Sequence, residues 1–503
     1  MTVADPTTSV GPSETRSTQT EERPRLLPSD RLGWCWLSLG LAGSIAITIA
    51  SPRVTGGGWW FDVRLPLGYG ANTALFYLGV VALSGAWLGI GAQLRRQDNT
   101  PLSQLCTLAA IWCLPLLVAP PVFSRDIYSY LAQGAIFHLG RNPYHQAPAI
   151  LAQLGQRHLL DLVSPFWRQS TAPYGPGFIG ISGAIVAVSG SHLILAAILA
   201  RLPALGGFVL LAVFVPRLAR RLGGDPVRAV WIAVTSPLVL CQLIGAGHND
   251  ALMAGMMVAG VTFALERRPL VGIAICAAAA TIKLPAAAAV VFIAVAWART
   301  ASGAGARTRI LTESMVASVA VIGAVSLLTG LGLDWVSTSL FSTPAKVHLA
   351  FTPTTAVAWS LGPLLAVRSN TIGHALGAAA AAATAVFGVA LIRRVRFENL
   401  VRYLGVLLLV AALAGPAAWP WYFVWGLVLL AACPEFQPSR VIPPALVLSV
   451  FVVKPNGSPV LHTHAAPYVL LAYVLLAALV WQRARWRPGS SKRARWRPGR
   501  SRV

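Results

Sequence analysis

Apolar runs recur from Leu32 to Trp481 without a soluble-domain-sized gap, and most approach the roughly 20 residues a helix needs to cross a bilayer. A membrane barrel would show short alternating strands instead. The pattern predicts an all-α polytopic bundle with crossings near 33–51, 71–94, 104–122, 193–215, 229–245, 250–265, 270–283, 285–298, 310–331, 372–392, 402–414, 420–433, 441–453 and 466–482. That makes fourteen transmembrane helices, with both termini on one side.

Two further apolar stretches, 174–190 and 354–367, do not fit this alternation. If only one of them crossed, arginine clusters would be moved to the opposite side. They are either re-entrant or partly buried helices, tolerated where protein covers the backbone, or signs that the boundaries are misdrawn.

Composition agrees with a membrane chain: 56% of residues are hydrophobic and 11% charged, against about 25% charged in soluble domains. The formal net charge of +24 would suggest a nucleic-acid partner in a soluble protein. Here the arginines gather at Arg95–Arg96, Arg217/Arg220/Arg221/Arg228, Arg267–Arg268, Arg299/Arg307/Arg309 and Arg393/Arg394/Arg396/Arg402. All fall on one side of the predicted bundle, so topology explains the charge and no nucleic acid is needed. Residues 1–30, rich in Thr, Ser, Pro and Glu, read as a disordered cytosolic tail. Residues 31–482 form the membrane domain, and 483–503, with nine Lys/Arg and no acid, a basic cytosolic tail able to touch anionic lipid. The expected location is the plasma membrane, multi-pass, with both termini cytoplasmic. The six cysteines all lie in apolar runs without a CxxC pair, which argues against disulfides and a thiolate metal site.

With sides assigned, only Asp62, Asp126, Asp161, Asp250 and Asp334 of the 16 acidic residues face outward. Asp126 opens DIYSYLAQGAIFHLG, where Ile127, Leu131 and Ala135 form one stripe and Asp126, Tyr130, Gln133 and Phe137 another face. Gly140 and Asn142–Pro143 would end it. The segment reads as a short amphipathic helix on the outer membrane surface, its polar face toward a cavity. Asp126 could equally cap that helix.

GAGHNDALMAG places His248, Asn249 and Asp250 at an outer turn, where Asn249 or Asp250 could cap the next helix or the three could bind hydroxyls. Thr281-Ile282-Lys283-Leu284-Pro285 puts a lysine in the hinge of a long apolar stretch, a costly position unless it snorkels or meets an anion. Trp419-Pro420-Trp421-Tyr422 suits either an interfacial aromatic belt or stacking on a sugar ring. Lys346 and His348 are weaker candidates; His462 and His464 lack a nearby third ligand, so no metal or other cofactor is expected, although divalent-metal dependence stays open.

Taken in order, FSRDIYSYLAQG, GRNPYH, APYGPGF, GAGHNDALMAG, TIKLPAA and AWPWYFVW resemble the polyprenol-phosphomannose-dependent α-1,6-mannosyltransferases of actinobacterial lipomannan and lipoarabinomannan assembly. The resemblance runs from about residue 30 to 480 and extends to the wider GT-C class of multi-helix membrane glycosyltransferases. It implies an extracytoplasmic site, a polyprenyl-phosphate mannose donor, and a mannan or phosphatidylinositol mannoside-type acceptor. By that resemblance Asp126 is the catalytic base of an inverting transfer, and Arg125 and Lys283 bind the donor phosphate. Tyr128, Tyr130, His248, Asn249 and Asp250 position sugar hydroxyls, and Trp419, Trp421 and Tyr422 form a sugar-binding wall. Many GT-C members carry paired acids in the first outer loop; here a single aspartate follows an arginine, which puts metal dependence in doubt and weight on Asp126. A secondary transporter or lipid-linked-sugar flippase would share the basic-inside bundle and broken helices. Formation of a glycosidic bond separates the readings.

Overall fold

A computed structural model describes residues 26–55, 67–96, 100–342, 348–415, 417–437 and 439–485. Most of the N-terminal tail, the C-terminal tail from residue 486, Asp62, Asp98 and Lys346 lie outside the described residues.

The described chain is helical, its one β-contact an isolated bridge between Val453 and Pro459. Every predicted crossing contains helix, with shifted ends. Five stretches are long and apolar enough to cross a membrane: Arg31–Thr55, Tyr69–Arg96, Leu193–Arg221, Ala304–Thr329 and Ser369–Ile392. The other apolar helices are shorter, among them Asp250–Leu265, Pro269–Ala280, Leu400–Ala414 and the two anomalous stretches, Pro176–Ser189 and Pro353–Leu364. At 14 and 12 residues, these last two fall short of the roughly 20 needed to cross.

Asp250–Leu265 is the central helix. Most of its side chains are buried, and Leu202–Arg221 and Pro269–Ala280 pack on it. At Gly207 a Cβ would stand 2.1 Å from the Ala251 carbonyl carbon, so backbones touch where a side chain would force them apart. Ala304–Thr329 and Ser369–Ile392 are the opposite case. Each buries two residues, Ser314 and Ser326 in one, Gly373 and Gly388 in the other, and presents apolar side chains outward, as lipid-facing helices do.

Indoles lock several helices together. Trp87 donates through Nε1 to the Trp231 carbonyl at 2.8 Å, Trp231 returns the bond to Trp87 at 2.9 Å, and their rings stack at 4.7 Å. Trp112 similarly donates to the Leu37 carbonyl at 3.0 Å. These bonds satisfy polar atoms where water is absent.

The segment that begins at Asp126 corrects one expectation. Asp126–His138 is a helix, ended by Leu139 and by Gly140 at φ +71°, but it does not lie on a surface with one face wet. Every residue from Asp126 to Ile136 is buried. Pro176–Ser189 packs so closely that a Cβ on Gly134 would meet the Ser182 backbone at 2.5 Å. The segment between them folds back through Leu151, Leu159 and Leu160, all buried. A mixed face that looks amphipathic in isolation is covered because the next 40 residues return over it.

Candidate active site

Four segments meet at the end of the bundle where Asp126–His138 begins: that helix start, the turn 245–250, the break after Ala280, and 419–425. Each is non-helical or newly helical where it contributes, which leaves polar groups free to face a common space.

The approach to Asp126 is backbone-strained. Phe123 has φ +62°, uncommon for a residue with a Cβ. Its N–H donates to the Pro455 carbonyl at 2.8 Å and its ring packs on Phe76. The chain thus turns sharply into Ser124, whose hydroxyl accepts the Asp126 N–H at 3.0 Å. Asp126 is the first helical residue and caps nothing. Its Oδ1 accepts the Trp167 indole N–H at 3.0 Å, and its Oδ2 lies 3.5 Å from His248 Nε2. The carboxylate side chain keeps 11% exposure. Arg125 points elsewhere, donating to the Thr55 carbonyl at 3.2 Å.

His248 is held by the turn that precedes it. Val239–Gly245 is a π-helical turn, and the Gln242 carbonyl lies 2.5 Å from His248 Nδ1. A carbonyl only accepts, so Nδ1 carries a proton and Nε2 faces Asp126. Gly247, at φ +71°, makes the turn possible, and a Cβ there would also stand 2.4 Å from Ile127. Beside it the buried side-chain amides of Asn249 and Gln242 have no hydrogen-bond partner among the described residues, an uncommon arrangement in a folded interior.

Asp250 begins the central helix and is fully buried. Both its oxygens accept from Lys283 Nζ at 2.8 Å, and Oδ1 also accepts the Trp425 indole N–H at 2.5 Å. Lys283 therefore neither snorkels nor stands alone. Its ammonium lies 4.7 Å from the Tyr422 ring centre, 5.5 Å from Trp425 and 5.8 Å from Tyr174, within cation–π range. The APYGPGF and TIKLP motifs are adjacent in space: Gly175 N–H donates to the Ile282 carbonyl and Gly177 N–H to the Thr281 carbonyl. A Cβ on Gly175 would meet the Thr281 oxygen at 2.1 Å, so this glycine is what brings Tyr174 over the lysine.

Trp421 stacks on His248 at 3.9 Å and on Trp419 at 4.8 Å, and both tryptophans are 3% exposed. Tyr422 stacks on Trp425 at 4.6 Å. Much of this aromatic face is thus engaged by protein. Tyr130 stands edge-on to Tyr174 and Phe178 at 5.0 and 4.8 Å. Burial, with the nearby carboxylates adding to it, pushes the Tyr130 and Tyr174 phenols well above the usual range, so both stay neutral. Burial also raises Tyr128.

The remaining acids expected to face outward stand apart. Asp334 pairs with His145 at 2.9 Å on the surface, and Asp161 is exposed. His348 rests against Trp359 at 4.8 Å, away from the cluster. Sequence reasoning missed Trp167, Trp425, Gln242 and Arg201. Arg201 is buried and donates to the carbonyls of Ala119, Ala197 and Gly245, tying the end of the preceding helix to the His248 turn. An arginine inside ILARLPAL was a readable signal; Trp167, in an irregular loop, offered none.

A family model described as alpha-(1->6)-mannopyranosyltransferase, N-terminal domain, matches residues 34–299, and one described as MptB C-terminal domain matches 351–485. The chain is 34% identical to alpha-(1->6)-mannopyranosyltransferase A of Mycobacterium tuberculosis, over 85% of this chain and 84% of that protein. It is 33% identical to a probable alpha-(1->6)-mannopyranosyltransferase of Mycolicibacterium smegmatis, covering 82% and 80%. To alpha-(1->6)-mannopyranosyltransferase B of Corynebacterium glutamicum it is 26% identical, covering 85% and 76%. No solved structure matches.

Proposed function

The chain belongs to the alpha-(1->6)-mannopyranosyltransferase family and is by that membership an α-1,6-mannosyltransferase; we propose that its donor is polyprenyl-phosphate mannose. The acceptor is a mannan or phosphatidylinositol mannoside-type chain, and the reaction runs at the extracytoplasmic membrane face. The donor's isoprenoid chain stays in lipid while its sugar reaches the polar end of the bundle. The transporter reading has no counterpart among the relatives, which carry transferase names.

The observation that carries the assignment of the base is the contrast between two carboxylates. Asp250 has no exposed side-chain surface and is neutralised by Lys283, whereas the Asp126 side chain keeps 11% exposure and meets no lysine or arginine among the described residues. Asp126 is the one able to take the acceptor hydroxyl proton as that oxygen attacks the anomeric carbon. The bond from that carbon to the phosphate oxygen breaks with its electron pair, the polyprenyl phosphate leaves, and configuration inverts from β to α.

Trp167 orients one carboxylate oxygen. His248, already a donor to Gln242 through Nδ1, presents Nε2 to the other and can share the proton Asp126 acquires. Asn249, Tyr128 and Tyr130 are positioned for sugar hydroxyls. Lys283, with 12% of its side chain exposed, serves the leaving phosphate, and Arg125 joins it only by releasing the Thr55 carbonyl; Asp250 holds the lysine in place. Trp419, Trp421 and Tyr422 back the sugar site, with Tyr422, the most open of the three, nearest the ammonium.

The test is a cell-free assay with labelled polyprenyl-phosphate mannose and a short α-mannoside acceptor, followed by linkage analysis. The expected product is α-1,6-linked from the parent chain and absent from Asp126→Asn. Near-normal transfer by that variant would overturn the assignment of the base.

A further inference from the structure

At the opposite end of the bundle, three segments line a half-open cavity. Arg299 ends helix Ala287–Ala298, 16 residues beyond Lys283 and on the order of 25 Å away at helical rise. Arg307 lies in the first turns of Ala304–Thr329, and Arg396, Phe397 and Glu398 lie in the loop before Leu400–Ala414. Together with Ala296 and Thr300 these residues line a cavity of about 570 Å³, within the roughly 300–1,000 Å³ range of ligand sites.

The cavity wall is fixed. Arg299 donates to the carbonyls of Val395 at 3.0 Å and Arg393 at 2.8 Å. Asn399 accepts the Arg396 N–H at 2.8 Å and donates to the Arg394 carbonyl at 3.2 Å. Arg299, Arg307 and Arg396 thus line one concave surface with a single carboxylate, Glu398, and Arg307 Nε is held by the Ala301 carbonyl at 3.2 Å. Ala304–Thr329 also starts here without a capping side chain, adding backbone N–H groups to a positive site.

Immediately beyond the cavity the surface turns apolar. Leu311, Met315 and Val319 on Ala304–Thr329 are 43%, 61% and 64% exposed, and Val386 and Val389 on Ser369–Ile392 are 71% and 48%. Both helices pack against Ala287–Ala298, which leaves Val291 45% exposed. A cationic cavity thus sits at the head of helices whose long flanks face lipid. Free phosphate would use only the first feature.

We propose that this cavity binds the headgroup phosphate of an anionic phospholipid, its acyl chains lying along Ala304–Thr329 and Ser369–Ile392. The arginines supply the counter-charge and planar donor forks that a phosphodiester needs. The site is separate from mannosyl transfer and does not depend on the reading of Asp126.

The full chain, purified in detergent, is titrated with phosphatidylglycerol, phosphatidylcholine or inorganic phosphate. Bound lipid is counted by native mass spectrometry and thermal stability is followed in parallel. Phosphatidylglycerol is expected to bind and raise the unfolding temperature, and phosphatidylcholine and free phosphate to do neither. Arg307→Gln with Arg396→Gln is expected to weaken phosphatidylglycerol at least about tenfold. Arg299 is kept because it holds the wall. Glu398→Gln is expected to tighten binding, which gives an independent reading should the double variant fold poorly. Equal binding of both lipids, wild-type affinity in the double variant, or full protection by inorganic phosphate would each overturn the lipid assignment.

Discussion

Asp126 and Asp250 occupy the same position in two different helices, the first helical residue, and each accepts an indole N–H, from Trp167 and Trp425. What separates them is the second partner. Asp250 receives both bonds of a lysine ammonium and is closed off; Asp126 faces an imidazole at 3.5 Å and keeps an open edge. The same local chemistry yields a structural charge in one case and an available base in the other. Burial and counter-charge decide, not the residue type.

This contrast can be broken by substitution. The largest effect is expected at Asp126→Asn, which removes the base without changing volume: transfer falls about 10²–10⁴-fold, while the yield of folded protein in detergent stays at the parent level. Asp250→Asn and Lys283→Met should behave differently. Each leaves a buried charge or donor unmatched and costs roughly 3–5 kcal/mol of stability, read as a lower unfolding temperature. The double variant Asp250→Asn/Lys283→Met should recover much of that loss, which would mark the pair as a structural unit. If Asp250→Asn instead leaves stability intact and abolishes transfer, the division of roles between the two aspartates is wrong.

Smaller changes sharpen the comparison. Trp167→Phe keeps an aromatic ring, though a smaller one, and removes one hydrogen bond to a charged acceptor, worth about 1.5–3 kcal/mol. Turnover is expected to drop by roughly 10- to 100-fold, with stability little changed. Asp334→Asn should be nearly silent. Its pairing with His145 is solvent-exposed at 53% and 64%, and such pairs are worth about 0–1 kcal/mol. A severe loss there would mean that the His145–Asp334 pair carries chemistry proposed for Asp126 and its neighbours.

Much of the site could be read from the sequence as a set of motifs, because chemistry in an apolar chain stands out. Lys283 was conspicuous as a cation in a hinge, and GAGHND as polar residues at a turn. Their pairing could not be read: Asp250 and Lys283 are 33 positions apart, and nothing local says that one carboxylate answers that lysine and not Asp126. The Asp126 helix shows the same limit. Its length and its end at Gly140 followed from local signals, but its burial depends on Leu151, Leu159 and Trp167 returning from a loop without periodicity. Helix length could not be read either: Pro269–Ala280 and Pro353–Leu364 are both 12 residues long, although the apolar pattern counts the first as a crossing and sets the second aside.

The Asp250–Lys283 bond also bears on how the chain enters the membrane. Asp250–Leu265 and Pro269–Ala280 are consecutive antiparallel helices joined by a short turn at Arg267–Arg268, so both charged groups lie at the same end of one hairpin. A carboxylate and an ammonium that would each be costly to move alone into hydrocarbon can cross as a neutral pair once that hairpin closes. Trp425, some 140 residues downstream, covers the pair from a much later segment, so the charge pair and the wall that encloses it come from separate parts of the chain.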